Sequence, residues 1–219
     1  MSNISLKQIP SKSKESPDIR GKIVLIGESG VGKSALSIQG ESHVYKELDQ
    51  PTVCFEYFWI NYSINNDQVI RLAIWDTCGQ EVYHSIASNF YNNAEIILLV
   101  YAINDYTSFE KISNWLHTVK ENCREETQFI LIGNKSDLEL ERKVSYSQAQ
   151  GFQIDNDIMY FIETSAKNGY NVDFLFEFCA KYVYEKNILI QSRRNSRRLE
   201  LQPSYVNTPG EGEQRNNKC

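Results

Sequence analysis

Apolar runs alternate with segments of helical periodicity through the middle of the chain. Residues 22–27 are a short apolar run that predicts a strand. Residues 96–103 and 129–134 are continuous apolar runs without apolar–polar alternation, which predicts strands buried on both faces of a sheet. A segment with apolar residues at spacings of three and four lies between the last two runs. This pattern predicts an α/β domain with a mostly parallel sheet and helices on both of its faces.

Two further segments predict a β-hairpin. Residues 54–63 and 69–76 are rich in β-branched and aromatic side chains, and Asn65-Asn66-Asp67 between them has the chemistry of a tight turn. A last short strand is predicted at residues 159–163. The predicted sheet therefore has six strands, of which one hairpin strand is antiparallel to the others.

Three helices are predicted. The first covers residues 33–39 and stops at Gly40, because glycine favours helix ends. The second covers residues 107–121 and has one apolar stripe that can pack on the sheet. The third begins near Asn171, a residue type that caps helix N-termini well.

The two ends of the chain differ in composition from its middle. Residues 1–19 are rich in Ser, Lys and Pro, and residues 187–219 contain many Asn, Ser and Gln with little apolar surface to offset the ordering entropy. We therefore predict a flexible N-terminal extension over 1–19, one folded domain over 20–186 and a flexible hypervariable tail over 187–219. A chain of 219 residues, 41% of them hydrophobic, can bury one substantial core.

Charge and cysteine content narrow the function classes. The formal net charge of -5 argues against a nucleic-acid partner, because such proteins usually carry a basic face. The five cysteines form no C-x-x-C pair, which favours a reducing, cytoplasmic compartment. No run reaches the roughly 18 apolar residues of a membrane span, and the N-terminus lacks the apolar stretch of a signal peptide.

A glycine-rich motif follows the first predicted strand. Gly27-Glu28-Ser29-Gly30-Val31-Gly32-Lys33-Ser34 matches the phosphate-binding pattern G-x-x-x-x-G-K-[ST]. In such a loop the backbone N–H groups surround a phosphate and the next helix adds its positive N-terminus. We expect Lys33 to reach the β- and γ-phosphates and Ser34 to be a Mg²⁺ ligand. The predicted nucleotide contacts in this loop and the following helix are Ser29, Gly30, Val31, Gly32, Lys33, Ser34 and Ala35.

Two later loops can read the base. Asn134-Lys135-Ser136-Asp137 follows a buried strand, and the Asp137 carboxylate can accept from N1–H and the 2-amino group of guanine, a donor pair that adenine lacks. We also expect contacts from Asn134 and from the aliphatic stem of Lys135. Alone, the N-K-x-D pattern is also a common surface turn.

The second base-reading loop follows the last predicted strand. The Ala166 N–H can donate to guanine O6, and Ser165 and Lys167 flank it in the predicted contact set. Both loops lie at carboxyl ends of predicted strands, where doubly wound sheets bind ligands. Together they predict a guanine nucleotide rather than adenine.

Two further segments suggest switching and hydrolysis. Asp76 ends a strand and is expected in the Mg²⁺ shell, although it could also be a plain helix cap. Gly79 can offer its N–H to the γ-phosphate, and Gln80 can orient the attacking water. The Thr52 hydroxyl can complete the Mg²⁺ shell when the γ-phosphate is present. The predicted catalytic residues are Gln80 and Lys33, and the predicted metal residues are Ser34, Thr52 and Asp76.

These motifs resemble those of the small GTPases of the Ras superfamily, in the family's order and spacing, and are most similar to the Rab branch. Thr52 lies 18 residues after Ser34, and the Asp-x-x-Gly pattern is Asp76-Thr77-Cys78-Gly79. The resemblance implies a P-loop NTPase G domain and places Tyr45 against the guanine. Cys78 departs from the usual Ala, which puts the intrinsic hydrolysis rate in doubt.

The resemblance also implies a function: a GTP/GDP and Mg²⁺ switch in vesicle traffic that hydrolyses GTP slowly. Its implied partners are an exchange factor, a GTPase-activating protein that supplies an arginine, and effectors on the switch surface, and we expect a monomer. Two alternatives stay open: a Ras-like signalling GTPase at the plasma membrane, and a nucleotide-locked module without hydrolysis.

The last residue, Cys219, is a candidate prenyl acceptor at the end of the predicted tail. It does not form a C-a-a-X box, and Rab tails often end in two cysteines, so the match is incomplete. A single lipid would anchor weakly without help from the four arginines of residues 193–198 at an anionic leaflet. Lipidation would place the protein on the cytosolic face of an intracellular membrane.

Overall fold

A computed structural model describes residues 5–10, 16–46, 56–65, 68–77 and 91–200. Within them one sheet has the strand order β1-β3-β4-β2-β5-β6-β7. The strands are β1 (Leu6–Ile9), β2 (Ile19–Ile26), β3 (Glu56–Ile64), β4 (Gln68–Asp76), β5 (Ile96–Ala102), β6 (Gln128–Asn134) and β7 (Tyr160–Glu163). The helices are α1 (Lys33–Ser42), α2 (Tyr106–Glu110), α3 (Ile112–Lys120), α4 (Tyr146–Asp155) and α5 (Val172–Glu200), with a 3₁₀-helix at Ser136–Glu141.

The pairing of the strands is mostly parallel. Strands β4, β2, β5, β6 and β7 pair in parallel, whereas β3 pairs antiparallel with both β4 and β1. The predicted α/β fold, its parallel sheet and its single antiparallel hairpin strand are therefore confirmed. As a result, the carboxyl ends of β2, β4, β6 and β7 lie along one edge of the sheet.

The described part of the sheet has seven strands, where the sequence predicted six. The additional strand is β1, within the segment predicted to be flexible. Leu6 packs against the core, and the Gln8 side chain donates to the carbonyl oxygens of Gly40 and Glu41 at 3.0 and 3.3 Å. A four-residue strand with two polar residues has too little periodicity to be predicted, because it forms only when β3 offers an edge.

The core has one layer on each face of the sheet. On one face, Leu36 of α1 and Phe176 of α5 pack with Ile23 and Leu72 of the sheet. On the other face, residues of α3, including Leu116, and residues of α4 pack against the sheet. The strand residues they contact alternate with those that face the first layer. Strand β5 is buried along its whole length, as expected for a central strand covered on both faces.

The prediction that the first helix stops at Gly40 is wrong. Helix α1 continues to Ser42 and ends at His43, which adopts a left-handed φ of 56°. Gly40 lies inside the helix, and a Cβ at this position would come within 2.2 Å of Cε2 of Phe176. The glycine therefore permits the close approach of α1 to α5, and does not terminate α1.

The predicted second helix is interrupted. Residues 107–121 form α2 and α3, which are separated at Lys111. Helix α4 was not predicted, although its N-terminus carries a capping box in which the Ser145 hydroxyl and the Gln148 side chain each bond the other's backbone N–H. Ser-x-x-Gln was thus a signal in the sequence.

The chain divides into two compact units, Met1–Glu185 and Lys186–Cys219. In the second unit, residues 187–200 are helical as the last part of α5, whereas the sequence predicted a flexible tail from residue 187. Residues 201–219, including Cys219, lie outside the described residues. Of the helices in the described ranges, none combines the length and apolar character needed to span a membrane.

Candidate functional site

The predicted site residues gather at the carboxyl edge of the sheet. The glycine loop follows β2, Asp76 ends β4, Asn134 ends β6, and Thr164 follows β7. These four strands are neighbours or near neighbours in the sheet, so residues far apart in sequence meet at one place. The topology therefore builds a single site from loops that follow different strands.

The glycine loop ends at the N-terminus of α1. Gly32 precedes the helix with a left-handed φ of 95°, and a Cβ at this position would lie 2.5 Å from Nδ2 of Asn134. Glycine is thus required both for the backbone conformation and for the contact with the next loop. Ser29 and Gly30 are exposed at the tip of the loop, where a ligand can reach their N–H groups.

Lys33 lies across the glycine loop. Its side chain is buried, and its Nζ donates to the carbonyl oxygens of Gly27 and Glu28, both at 2.8 Å. A buried ammonium group on two carbonyls is stabilised by those dipoles and cannot leave the loop without losing them. The positive charge is therefore held where the loop would receive an anion.

Ser34 and Asp76 form the second polar contact of the site. The Ser34 hydroxyl donates to Oδ2 of Asp76, which is fully buried, and within the described residues Oδ1 of Asp76 has no hydrogen-bond partner. Burial raises the pKa of Asp76 to about 6, although the hydrogen bond from Ser34 and the charge of Lys33 act in the opposite direction. A buried carboxylate with an unpaired oxygen beside a hydroxyl fits Mg²⁺ and its bound water, because this cation prefers oxygen ligands.

Thr77 follows Asp76 in the chain and was not predicted as a site residue. Its hydroxyl is buried and donates to the carbonyl oxygen of Leu25 at 2.7 Å. This bond ties the end of β4 to β2 just before the glycine loop. The sequence offers no signal for it, because Leu25 and Thr77 meet only through the parallel pairing of their strands.

Asn134 connects the glycine loop to the two loops that follow β6 and β7. Its Nδ2 donates to the carbonyl oxygen of Val31 at 2.9 Å. Its Oδ1 accepts from the Thr164 hydroxyl and from the Ala166 N–H, both at 3.2 Å. One buried side chain thus holds three loops together, and Thr164 is a second participant that was not predicted.

The loops after β6 and β7 are joined at a second point. The Ser165 hydroxyl donates to Oδ1 of Asp137 at 2.5 Å, and the Ser136 N–H donates to the carbonyl oxygen of Thr164 at 3.0 Å. Asp137 is nevertheless exposed, so its carboxylate can accept further hydrogen bonds. Lys135 has a left-handed φ of 63°, and the side chain of Lys167 is exposed.

The structure brings together the predicted residues of the glycine loop, Asp76 and the two base-reading loops. The Ala166 N–H, predicted to donate to guanine O6, donates to Asn134 in this structure. Tyr45 is 40% exposed beyond the end of α1. The predicted residues Thr52, Gly79 and Gln80, together with Cys78 and Cys219, lie outside the described residues.

Comparison with known proteins identifies the family to which this arrangement belongs. The sequence model of the Ras family matches residues 22–185, which is most of the chain. The chain belongs to the Ras family. Its members are GTPases, so this protein is a GTPase with a G domain, as the resemblance implied.

Similar proteins from several organisms place the chain in the Rab branch of the family. It is 35% identical over 198 residues to the Ras-related protein Rab-13 of Rattus norvegicus, covering 90% of this chain and 94% of that protein. It is 35% identical over 176 residues to the Ras-related protein SEC4 of Candida albicans, covering 80% and 83% of the two chains. It is 37% identical over 186 residues to SEC4 of Saccharomyces cerevisiae, covering 85% of each chain. The predicted resemblance to Rab proteins is therefore confirmed.

Proposed function

We propose that this GTPase is a molecular switch of vesicle traffic that binds GTP and GDP with Mg²⁺ and recruits effectors in its GTP state. The observation that supports this most directly is the Asn134 contact, which joins the glycine loop to both predicted base-reading loops. A site organised in this way reads the phosphates and the base of one ligand at once. Similarity to Rab-13 and SEC4 supports the Rab type of switch.

The phosphates are bound by the glycine loop. We expect the backbone N–H groups of residues 29–35 and the N-terminus of α1 to face an anion. The Lys33 ammonium, which the carbonyl oxygens of Gly27 and Glu28 hold in this loop, would contact the β- and γ-phosphates. Ser34 and Thr52 would hold Mg²⁺, and Asp76 would accept from a water bound to it; when bound, the cation would neutralise charge on the β- and γ-phosphates. Asp76 would accept from this water through Oδ1, which has no hydrogen-bond partner among the described residues.

Base selection depends on Asp137. Its exposed carboxylate, oriented by the Ser165 hydroxyl, accepts from the two adjacent donors of guanine. Adenine presents no such donor pair and would leave the carboxylate without hydrogen bonds from the base, which costs affinity. Ala166, Lys135, Lys167 and Tyr45 complete the base contacts.

Hydrolysis requires a water in line with the γ-phosphate. Gln80 orients this water, and the Gly79 N–H binds the γ-phosphate. The intrinsic rate is slow, because the loop and switch segments offer no arginine to stabilise the transition state and an activating protein supplies one in trans. Replacing Gln80 by Leu lowers single-turnover phosphate release; equal rates in both proteins would favour a nucleotide-locked module instead.

The switch cycle requires partners and a membrane. An exchange factor loads GTP, a GTPase-activating protein ends the active state, and effectors bind the loops around Thr52 and Gly79 while the γ-phosphate orders them. We propose that a prenyl group on Cys219 attaches the otherwise cytoplasmic monomer to the cytosolic face of an intracellular membrane. Binding to a Rab escort protein would distinguish this assignment from a Ras-like role at the plasma membrane.

The first test identifies the bound nucleotide. The full chain is purified in Mg²⁺ buffer and denatured, and the released nucleotide is identified by chromatography. GDP or GTP is expected from the wild type and from Asp155→Ala, an exposed carboxylate at the end of α4, and neither from Asp137→Ala. Adenine nucleotide, or equal guanine nucleotide in all three proteins, would show that the base-reading residues are assigned wrongly.

A further inference from the structure

A glutamate in the glycine loop is bound by two residues of a distant helix. Oε2 of Glu28 accepts from Nζ of Lys111 at 2.9 Å, and Oε1 accepts from Nε1 of Trp115 at 3.1 Å. Both carboxylate oxygens are therefore engaged by donors that lie 83 and 87 residues away in sequence. The Glu28 side chain is 17% exposed, so these contacts are partly shielded from water.

The two donors are positioned by a rigid part of the fold. Lys111 lies at the interruption between α2 and α3, and Trp115 lies one turn later with 7% of its surface exposed. The Trp115 ring packs in the same core layer as Val24 and Ile26 of β2, the strand that leads into the glycine loop. The Glu28 carboxylate is thus held by a helix that is itself packed against the sheet.

The backbone of Glu28 contacts the phosphate-binding lysine. Its carbonyl oxygen accepts from Nζ of Lys33 at 2.8 Å, beside the carbonyl of Gly27. A displacement of the Glu28 side chain would therefore move a carbonyl that orients Lys33. Glu28 thus accepts hydrogen bonds from Lys111 and Trp115 through its side chain and from Lys33 through its backbone.

We propose that Lys111 and Trp115 are positioning residues for nucleotide binding, because they hold Glu28 and through it the glycine loop in a shape that accepts two phosphates. This inference rests on the proposed nucleotide site. It has an electrostatic part as well. A carboxylate within a phosphate-binding loop repels an incoming phosphate, and the Lys111 ammonium neutralises that charge at a distance of 2.9 Å.

Positioning and charge neutralisation together predict how fast each variant releases GDP. In Lys111→Gln the Glu28 charge loses its counter-charge and the loop keeps only the Trp115 contact of the two that hold Glu28, so GDP should dissociate faster. Lys111 is 37% exposed, which screens the pair, and we expect an increase of about three- to tenfold in the rate. In Glu28→Gln the repulsive charge is absent and an oxygen can still accept from Trp115, so the change should stay within about twofold. The double variant should therefore release GDP more slowly than Lys111→Gln alone.

The experiment measures dissociation of a fluorescent GDP from the full chain in Mg²⁺ buffer. Lys111→Arg keeps the charge and should restore the wild-type rate to within about twofold. Lys120→Gln is the matched control, because Lys120 is the last residue of α3, the helix that Lys111 precedes, and donates to the carbonyl oxygen of Asn156. It should leave the rate unchanged.

A second readout separates positioning from general destabilisation. GMP lacks the β-phosphate, so Lys111→Gln should weaken GDP binding severalfold and leave GMP binding almost unchanged. A variant that only destabilises the fold weakens both ligands alike, and that result would overturn the proposal. A rate of GDP release by Lys111→Gln equal to that of the wild type would also overturn the proposal, while the proposed function would stand. If the wild type itself binds no guanine nucleotide, the proposed function and this inference both fail.

Discussion

Replacing Asn134 by Ala tests whether one side chain couples the three loops of the site. The side chain is 1% exposed, and its removal withdraws partners from the Val31 carbonyl, the Thr164 hydroxyl and the Ala166 N–H. The Thr164 hydroxyl and the Ala166 backbone N–H are themselves buried, so water cannot replace the lost bonds without entering the site. The glycine loop should separate from the loops after β6 and β7, which stay joined through Ser165 and Asp137, while the sheet beneath them stays intact.

The size of the effect follows from the groups that are left unpaired. Each buried polar group without a partner costs about 1–3 kcal/mol, but the hydroxyl can rotate and an unpaired carbonyl is better tolerated than an unpaired N–H. We count the full cost for the Ala166 N–H and part of it for the other two groups. The native site should therefore lose about 3 kcal/mol of stabilising free energy. Since the three loops carry the ligand contacts, most of this loss should appear in nucleotide affinity, about a hundredfold for GDP.

The assay is the dissociation constant of fluorescent GDP, measured together with the thermal unfolding midpoint of the nucleotide-free protein. Asn122→Ala is the matched control, because Asn122 is exposed and its Nδ2 donates only locally, to the Thr118 carbonyl. The control should bind GDP as the wild type does. Binding within about threefold of wild type by Asn134→Ala would refute the reasoning, because the orphaned groups would then cost too little to couple the loops.

Three further predictions concern packing and charge outside the loops. Gly40→Ala should lower the free energy of unfolding by about 1–3 kcal/mol in a urea titration, because the new methyl overlaps the Phe176 ring; an unchanged or higher stability would show that α1 and α5 are not in close contact. Arg142→Met should cost about 2 kcal/mol by the same method, because it leaves the partly buried Glu163 carboxylate without its partner at 2.7 Å, and a neutral result would contradict the ion pair. Burial raises the pKa of the Cys179 thiol, so iodoacetamide should not modify Cys179 in the native protein at pH 8, whereas mass spectrometry should find it modified in urea; modification at equal rates would contradict its burial.

Much of the site was predictable because its functional groups belong to short motifs of contiguous residues. The eight residues from Gly27 to Ser34, and the short loops at Asn134 and Ser165, each carry enough pattern to indicate a role. Their placement after apolar runs then predicted one edge of a parallel sheet, since the carboxyl ends of parallel strands lie together. The structure describes that edge, and the family match agrees with it.

Other features depended on partners far along the chain. Strand β1 exists because β3 offers it an edge, and residue 40 is a glycine within a helix because the Phe176 ring occupies the space that a Cβ would need. The contacts of Glu28 with Lys111 and Trp115 had no signal in the sequence, since neither pair is linked by periodicity or by a motif.

The sequence by itself determined the fold class, the main elements of the sheet and the chemistry of each loop, because apolar periodicity and turn chemistry act over a few residues. The tertiary structure alone decided which side chains join the loops, how the glycine loop is anchored and how closely the helices pack. Such contacts depend on the distance between elements, and that distance is set by packing the whole core.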